Sequence, residues 1–390
     1  MIHFVQGSVT PQFEPVRAAF LKLWQHHEVG ASLCVYFRGE KVVDLWGGWQ
    51  DINRSKTWHA DTLVNIYSTT KGVAALALGH LHATGAFAYS DPVNLYWPEF
   101  AQNAKGEISI GMLLSHQAGL SGFSQNLLVS DLYQTQKLTN LLAGAEPSWI
   151  PGTQSGYHVV TWGFLAGEIL RRITGKTLGC YLREHITQPL GADCHLGLLS
   201  RDLDRCADLI GPNRASRGNQ PFTGDEPSAL TTPVSESRKA LRRQAQQNPI
   251  IRPFKDACST AWRQAEIPAS NGHATAEGLA RLYAYALEKR TAKVGGFGLD
   301  QACRRAVTDQ TDLILGQTIE RSQGGFILNP GAGFGPSRSA FGHNGAGGSS
   351  AFADPEQEIA FAYVMNQMQP NGSAPRAPRL ADCFYECLHD

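Results

Sequence analysis

The sequence lacks net charge and has few charged residues. Its 390 residues include 34 lysines and arginines against 34 aspartates and glutamates, and charged residues make up only 17% of the chain, below an average of roughly 25%. Without an excess of positive charge, the chain has no long-range field that would attract nucleic acid or anionic lipid. We therefore expect neither nucleic acid nor a membrane surface as a partner.

Long apolar runs are also lacking. No stretch approaches the roughly 18 consecutive apolar residues of a membrane span, and the opening MIHFVQGSVTPQF has neither the basic nor the apolar region of a signal peptide. We expect a soluble, cytoplasmic protein. The length allows two or more hydrophobic cores at about 150 residues each.

Several metal and cofactor motifs are missing. Eight cysteines are dispersed without a C-x-x-C pair, and Cys383 and Cys387 have no second pair that would complete a zinc site. The sequence contains no G-x-x-x-x-G-K-[ST], no strand-linked G-x-G-x-x-G, no H-E-x-x-H and no G-x-S-x-G nucleophile elbow. We predict no metal ion and no cofactor.

Strand and helix patterns divide the remaining sequence. Two strand-like runs flank a turn at Arg38-Gly39-Glu40, and residues 68–85 form a helix that is apolar on nearly every face. Residues 86–289 consist of helical pieces with no convincing strand pair, and about 200–265 predict polar surface loops with one exposed helix. A second hairpin over 350–353 and 359–365 precedes a terminal helix.

Strands near both ends of the chain, with helices between them, predict an α+β fold. Both ends of the chain would complete one sheet. We divide the chain into a sheet domain of residues 1–85 plus 290–390 and a mostly helical domain of residues 86–289.

One S-x-x-K occurs, Ser68-Thr69-Thr70-Lys71, at the start of the apolar helix. Ser68 would occupy the first turn and Lys71 would follow one turn later on the same face. A lysine held beside a serine hydroxyl lowers the barrier to deprotonating it, which is the chemistry of a nucleophile. Equally, Ser68 could be an ordinary helix cap and Lys71 a surface lysine.

Two later features extend this candidate site. Tyr157 lies in a loop just before a helix, and its phenol is a candidate base if a cation such as Lys71 is near; the alternative is a half-buried aromatic. The run GHNGAGG over 342–348 would let a strand approach a substrate closely, although a tight turn also explains Asn344-Gly345.

In this order, Ser68-x-x-Lys71, Tyr157 and His343-Asn344-Gly345 resemble the three elements of the serine β-lactamase and penicillin-binding-protein superfamily. Within it, the chain is most similar to the family VIII carboxylesterases, which are esterases related to class C β-lactamases. Six ordered segments carry the resemblance: NIYSTTKG, YWPEF, LLSHQAGLSGF, PGTQSGYH, PASNGHATAEGLARLY and FGHNGAGG.

The resemblance implies a fold and a set of roles. The fold is β-lactamase-like, an antiparallel sheet flanked by helices with a helical domain across a cleft. Ser68 is the implied nucleophile, Lys71 its activating partner and Tyr157 the general base. The backbone N–H groups of Ser68 and Ala346 are the implied oxyanion hole. The implied substrate-binding residues are His343, Asn344 and Gly345.

Two departures from the β-lactamase pattern bear on the substrate. His343 replaces a lysine that holds the substrate carboxylate, and would be a weaker, pH-dependent cation; Val159 replaces an asparagine. Both changes favour short-chain, neutral carboxylic esters as the small-molecule partner. A β-lactamase with weak activity, a D-aminopeptidase or amide hydrolase, and an acyltransferase remain alternatives on the same residues. A non-catalytic receptor is the alternative from another class.

Overall fold

The computed structural model describes residues 5–26, 28–212, 235–291, 294–369 and 375–389. Its main feature is a nine-stranded antiparallel sheet with the strand order β1-β3-β2-β12-β11-β10-β9-β8-β7. Its strands are β1 (Val5–Val9), β2 (Gly30–Phe37), β3 (Glu40–Gly48), β7 (Arg305–Val307), β8 (Glu320–Ser322), β9 (Ile327–Leu328), β10 (Phe341–Asn344), β11 (Ser350–Asp354) and β12 (Ile359–Met365).

Twelve α-helices are seen in the described ranges: α1 (Glu14–Lys22), α2 (Thr69–Ala83), α3 (Ile110–Leu114), α4 (Thr135–Gly144), α5 (Thr161–Thr174), α6 (Leu178–Leu182), α7 (Gln188–Leu190), α8 (Glu236–Gln246), α9 (Thr260–Gln264), α10 (Ala276–Glu288), α11 (Leu299–Ala302) and α12 (Arg376–Glu386). A π-helical turn, Arg183–Thr187, joins α6 to α7. Short 3₁₀ turns lie at 11–13, 23–26, 93–95, 98–101, 129–133, 200–205 and 256–258.

Both ends of the chain meet at the centre of the sheet, as predicted. Strand β2 pairs with β12, so that Val35 lies opposite Phe361. The hairpin of β2 and β3 turns at Arg38 and Gly39, whose φ angles of 52° and 81° suit a tight two-residue turn. The predicted second hairpin is β11 with β12. The β-lactamase-like α+β fold is therefore confirmed.

Helices cover both faces of the sheet. Successive residues on a strand point to opposite faces: the Tyr36 hydroxyl reaches Glu277 of α10, whereas Phe37 packs edge-on against Phe13 and Phe384, which stack at 4.5 Å. Helices α1 and α12 thus lie on one face, and α10 lies on the other. The domain boundary at residue 289 stays a prediction, and α10, which precedes that boundary, packs on β2, β11 and β12.

A second, three-stranded sheet was not predicted. Its order is β4-β6-β5, formed by β4 (Val64–Asn65), β6 (Gly272–Ala274) and β5 (Cys194–Leu196). The expectation that no strand pair interrupts 86–289 is therefore wrong. Strands of two or three residues are too short for alternation to show in the sequence.

Helix α2 is the buried helix predicted from its apolar composition. Thirteen of its 15 residues are buried, as expected of a helix enclosed by other elements. The predicted exposed helix within 200–265 is α8, which has Ala245 as its buried residue; residues 213–234 of that stretch lie outside the described residues. Within the described ranges, no helix combines the length and apolarity needed to cross a membrane.

Candidate active site

Ser68 lies at the turn between β4 and α2. Its neighbour Tyr67 has a φ of +41°, a left-handed conformation that is uncommon for a bulky residue and that clusters at functional sites. Ser68 occupies the N-cap position of α2, but its side chain accepts no capping hydrogen bond. The hydroxyl is therefore available for another partner, and the helix-cap alternative for Ser68 does not hold.

Lys71 provides that partner. Its Nζ lies 3.3 Å from Ser68 Oγ, 2.8 Å from the carbonyl oxygen of Val159 and 3.1 Å from that of Ala269. The residue is fully buried, so the surface-lysine alternative is excluded. A buried ammonium is stable only when its N–H groups are satisfied, and these three oxygens match its three N–H groups.

Tyr157 joins the pair from the loop before α5. Its ring centroid lies 4.7 Å from Lys71 Nζ, and its backbone N–H donates to Asp312 Oδ1 at 3.0 Å. The side chain is 5% exposed. Its ring packs in a small cluster with Ala245 of α8 and Ile314. The structure thus brings together the three residues that the sequence placed 3 and 86 positions apart.

The glycine-rich segment 342–348 runs from β10 into the turn before β11. A Cβ on Gly345 would lie 2.3 Å from the carbonyl oxygen of Ile66 and 2.2 Å from Ser349 Oγ. The turn therefore touches the backbone just before Ser68, and only glycine permits this approach. Ser349 Oγ secures the contact by donating to the Ile66 carbonyl at 2.9 Å.

The backbone N–H groups of Ser68 and Ala346 flank this contact. Among the described residues, neither N–H donates a hydrogen bond to another protein group. The N–H of Gly345, by comparison, is used by the Ser349 carbonyl at 2.8 Å. Two free donors beside a serine hydroxyl are what an oxyanion hole requires.

His343 packs beside Tyr157 with the ring centroids 6.2 Å apart and the rings 30° from parallel. Its Nδ1 lies 2.7 Å from the carbonyl oxygen of Asn344, so Nδ1 carries the proton in the neutral ring. Burial, aided by the charge on Lys71, lowers the pKa of His343 well below 6.5. The ring is therefore neutral near pH 7 rather than the pH-dependent cation expected from the sequence.

Asn344 makes a structural contact. Its Nδ2 donates to the carbonyl oxygen of Ala332 at 2.8 Å, which holds the segment before β10 against the turn. The structure brings His343 and Gly345 against Tyr157 and the Ser68 turn respectively, whereas the Asn344 side-chain amide is engaged by Ala332.

Three polar residues near Tyr157 were missed. His116 lies 5.0 Å from the Tyr157 ring centroid, and Arg321 and Asp312 form an ion pair of 2.6 Å with side chains 1% and 2% exposed. His116 stands in the LLSHQAGLSGF segment that carried the family resemblance, which was a usable signal. Arg321 and Asp312 belong to no motif, and only the fold brings them to Tyr157.

Comparison with known proteins agrees with this geometry. The family model described as Beta-lactamase matches residues 14–386. The esterase/beta-lactamase LipL of Mycobacterium tuberculosis is 32% identical over 379 residues, which cover 93% of this chain and 83% of LipL.

Two solved structures are similar over nearly the full length. One, a family VIII carboxylesterase, is 36% identical with a TM-score of 0.87, covering 98% of this chain and 99% of that chain. The other, a penicillin-binding-protein homologue from Caulobacter crescentus, is 36% identical with a TM-score of 0.85 over the same shares. The chain therefore belongs to the beta-lactamase family and is a serine hydrolase of that superfamily.

Proposed function

We propose that this protein hydrolyses small, neutral carboxylic esters through an acyl-enzyme on Ser68. The observation that carries the proposal is the contact of Ser68 Oγ with a fully buried Lys71 Nζ at 3.3 Å, next to Tyr157. The activities named for the family VIII carboxylesterase and for LipL support it.

The roles of Lys71 and Tyr157 follow from hydrogen-bond donors and acceptors. Lys71 Nζ donates to Ser68 Oγ and to two backbone carbonyls, which stabilises the charged ammonium. A protonated lysine has no lone pair, so in this state Lys71 is the cation. The base is then Tyr157, whose phenolate is favoured by that cation.

The reaction has two steps. Ser68 Oγ attacks the ester carbonyl carbon while its proton passes to Tyr157, and the N–H groups of Ser68 and Ala346 bind the developing oxyanion. The tetrahedral species collapses, the C–O bond to the alcohol breaks, and Tyr157 returns the proton to the departing alcohol. A water molecule deprotonated by Tyr157 then attacks the acyl-enzyme and releases the acid and Ser68.

The preference for neutral substrates rests on position 343. His343 is buried and uncharged, and its Nδ1–H is used by Asn344. A substrate carboxylate would find neither a cation nor an N–H donor on this side chain. Val159 contributes its carbonyl to Lys71 and has no polar side chain to offer. Both features favour an ester over a carboxylate-bearing β-lactam.

Initial rates on three substrates test this proposal. We expect kcat/KM for an aryl butyrate to exceed that for nitrocefin and for a D-amino-acid amide by about 100-fold or more, since each lost polar contact costs about 1–3 kcal/mol. Ser68→Ala should abolish ester hydrolysis, whereas Ser8→Ala, on the exposed edge strand β1, should match the unaltered protein.

Other outcomes would select the alternatives. Faster turnover of nitrocefin would identify a β-lactamase, faster turnover of the amide would identify an amide hydrolase, and acyl transfer to an added alcohol faster than to water would identify an acyltransferase. Failure to react with any activated ester would favour a receptor. Ester hydrolysis that survives in Ser68→Ala would overturn the proposal itself.

A further inference from the structure

Two positive charges, on Lys71 and Arg321, flank the ring of Tyr157. Lys71 Nζ lies 4.7 Å and Arg321 Cζ lies 5.2 Å from the ring centroid. Arg321 comes from β8, far from the S-x-x-K segment, and is 1% exposed. A cation within about 6 Å of an aromatic ring interacts with it appreciably, and more strongly when water is excluded.

Asp312 fixes both Arg321 and Tyr157. Its Oδ2 accepts from Arg321 Nη2 at 2.6 Å, and its Oδ1 accepts from the backbone N–H groups of Tyr157, Ile314 and Leu315 at 3.0, 2.9 and 2.9 Å. One carboxylate therefore sets the distance between the guanidinium and the tyrosine backbone. Helix α8 reinforces this loop, because Arg238 donates to the carbonyl oxygens of Asp312 and Leu313.

The guanidinium retains unused hydrogen-bonding capacity. Arg321 Nε and Nη1 are buried, and neither finds an acceptor in the part of the chain that the structure describes. Burying a guanidinium with unpaired N–H groups costs stability, and an apolar residue of similar size would avoid that cost. An ion pair that only held the loop would not need these unpaired groups beside Tyr157.

The remaining titratable groups around Tyr157 add no further positive charge against its ring. Burial lowers the pKa of His158 to about 4 and the pKa values of His116 and His343 well below 6.5. On α8, the charges nearest to Asp312 are Arg238, which binds its backbone carbonyl, and Arg242, which interacts with Asp312 and Arg238.

We propose that Arg321 is a positioning residue that supplies the second positive charge beside Tyr157, and that Asp312 holds it there. Together with Lys71, this charge favours the phenolate that accepts the Ser68 proton. Arg321 thereby provides a charge that position 343 does not carry in this chain. The inference rests on the proposed ester hydrolysis, in which Tyr157 is the base.

The pH profile of kcat/KM tests this inference. A base must be deprotonated to act, so the rate falls at low pH, and loss of a nearby cation moves that fall to higher pH. We expect Arg321→Met to move the midpoint of the acid limb upward by about one pH unit or more. The loss of rate at pH 7 should be largely recovered at pH 9, whereas Arg321→Lys should keep a midpoint near that of the unaltered protein.

Two further variants separate charge from folding. Arg321→Met with Asp312→Asn removes both charges, leaves no orphaned carboxylate, and should show the same upward shift. Arg305→Met breaks a comparable arginine–glutamate pair between β7 and β8, away from Tyr157, and should leave the midpoint unchanged.

An unchanged midpoint in Arg321→Met or in the double variant, with only a lower plateau, would overturn the inference. Labelling of Ser68 by an activated ester in the same variants keeps this result distinct from a failure of the proposed hydrolysis. If Ser68 is acylated and the midpoint does not move, the role of Arg321 alone is wrong.

Discussion

At the residue scale, Gly345 controls the contact between the late turn and the nucleophile. Its missing side chain lets the turn touch the Ile66 carbonyl, and a Cβ there would lie 2.3 Å from that backbone oxygen. Backbone cannot move aside as a flexible side chain does, so any larger residue must push the turn away from Ser68. The adjacent Ala346 N–H would move with it.

We therefore expect Gly345→Ala to lower kcat on an aryl ester by on the order of 100-fold and the free energy of unfolding by about 1–3 kcal/mol. Steady-state kinetics and urea denaturation measure the two effects. The matched control is Gly144→Ala at the end of α4, where an added Cβ meets nothing within 4 Å and both quantities should stay near those of the unaltered protein. Equal values for the two variants would show that the close approach is unimportant.

Local sequence was enough to predict some site residues and not others. Ser68 and Lys71 lie one helical turn apart, so the spacing alone placed them on one face. The environment of His343 depends on what surrounds it, and its neutrality could not be seen in the triplet. Arg321 and Asp312 are nine residues apart and reach Tyr157 only through the pairing of β8 with β9 and the loop before it.

At the scale of elements, a buried cluster joins β12, α12 and the segment before β2. Glu28 Oε2 lies 2.5 Å from the Tyr363 hydroxyl and 2.8 Å from Arg376 Nη1. Burial raises the pKa of Glu28 to about 7, against the opposing charge of Arg376. The folded protein thus holds a proton between about pH 4.5 and pH 7 that the unfolded chain has already lost.

This difference gives a pH dependence of stability with a definite sign. The contribution of protonated Glu28 is fully present below the unfolded pKa of about 4.5 and is lost as the pH rises through about 7. We expect the stability of the unaltered protein relative to Glu28→Gln to fall by on the order of 3 kcal/mol between pH 4.5 and pH 7.5.

Urea denaturation across that range measures the effect. Glu14→Gln, which alters an exposed pair with Arg17 on α1, should change stability by less than about 1 kcal/mol throughout. A constant difference between the unaltered protein and Glu28→Gln at every pH would contradict the raised pKa.

Element prediction succeeded where a pattern was long enough. The hairpins of β2 with β3 and β11 with β12 span five or more residues per strand, and α2 spans 15. Strands β4, β5 and β6 have two or three residues each and exist because neighbouring elements bring their backbones together. Such strands depend on tertiary contacts and leave no period in the sequence.

At the scale of the whole molecule, distant parts of the chain converge on one point. Ser68 and Lys71 come from α2, Tyr157 from the loop before α5, and the glycine-rich turn from β10. The arginine-rich segment, which the sequence could place least well, contributes α8 with Ala245 against Tyr157. The family resemblance predicted the order of these elements, but the packing of α8 required the structure.

Covalent labelling of Ser68 is the most direct test of the central claim. A fluorophosphonate should lose fluoride to Ser68 Oγ and add one phosphonyl group per chain, located on the peptide that contains Ser68 by mass spectrometry. Ester hydrolysis should fall in proportion to labelling, and Ser68→Ala should remain unlabelled. Labelling of a different residue together with loss of activity, or full activity in the labelled protein, would contradict the account.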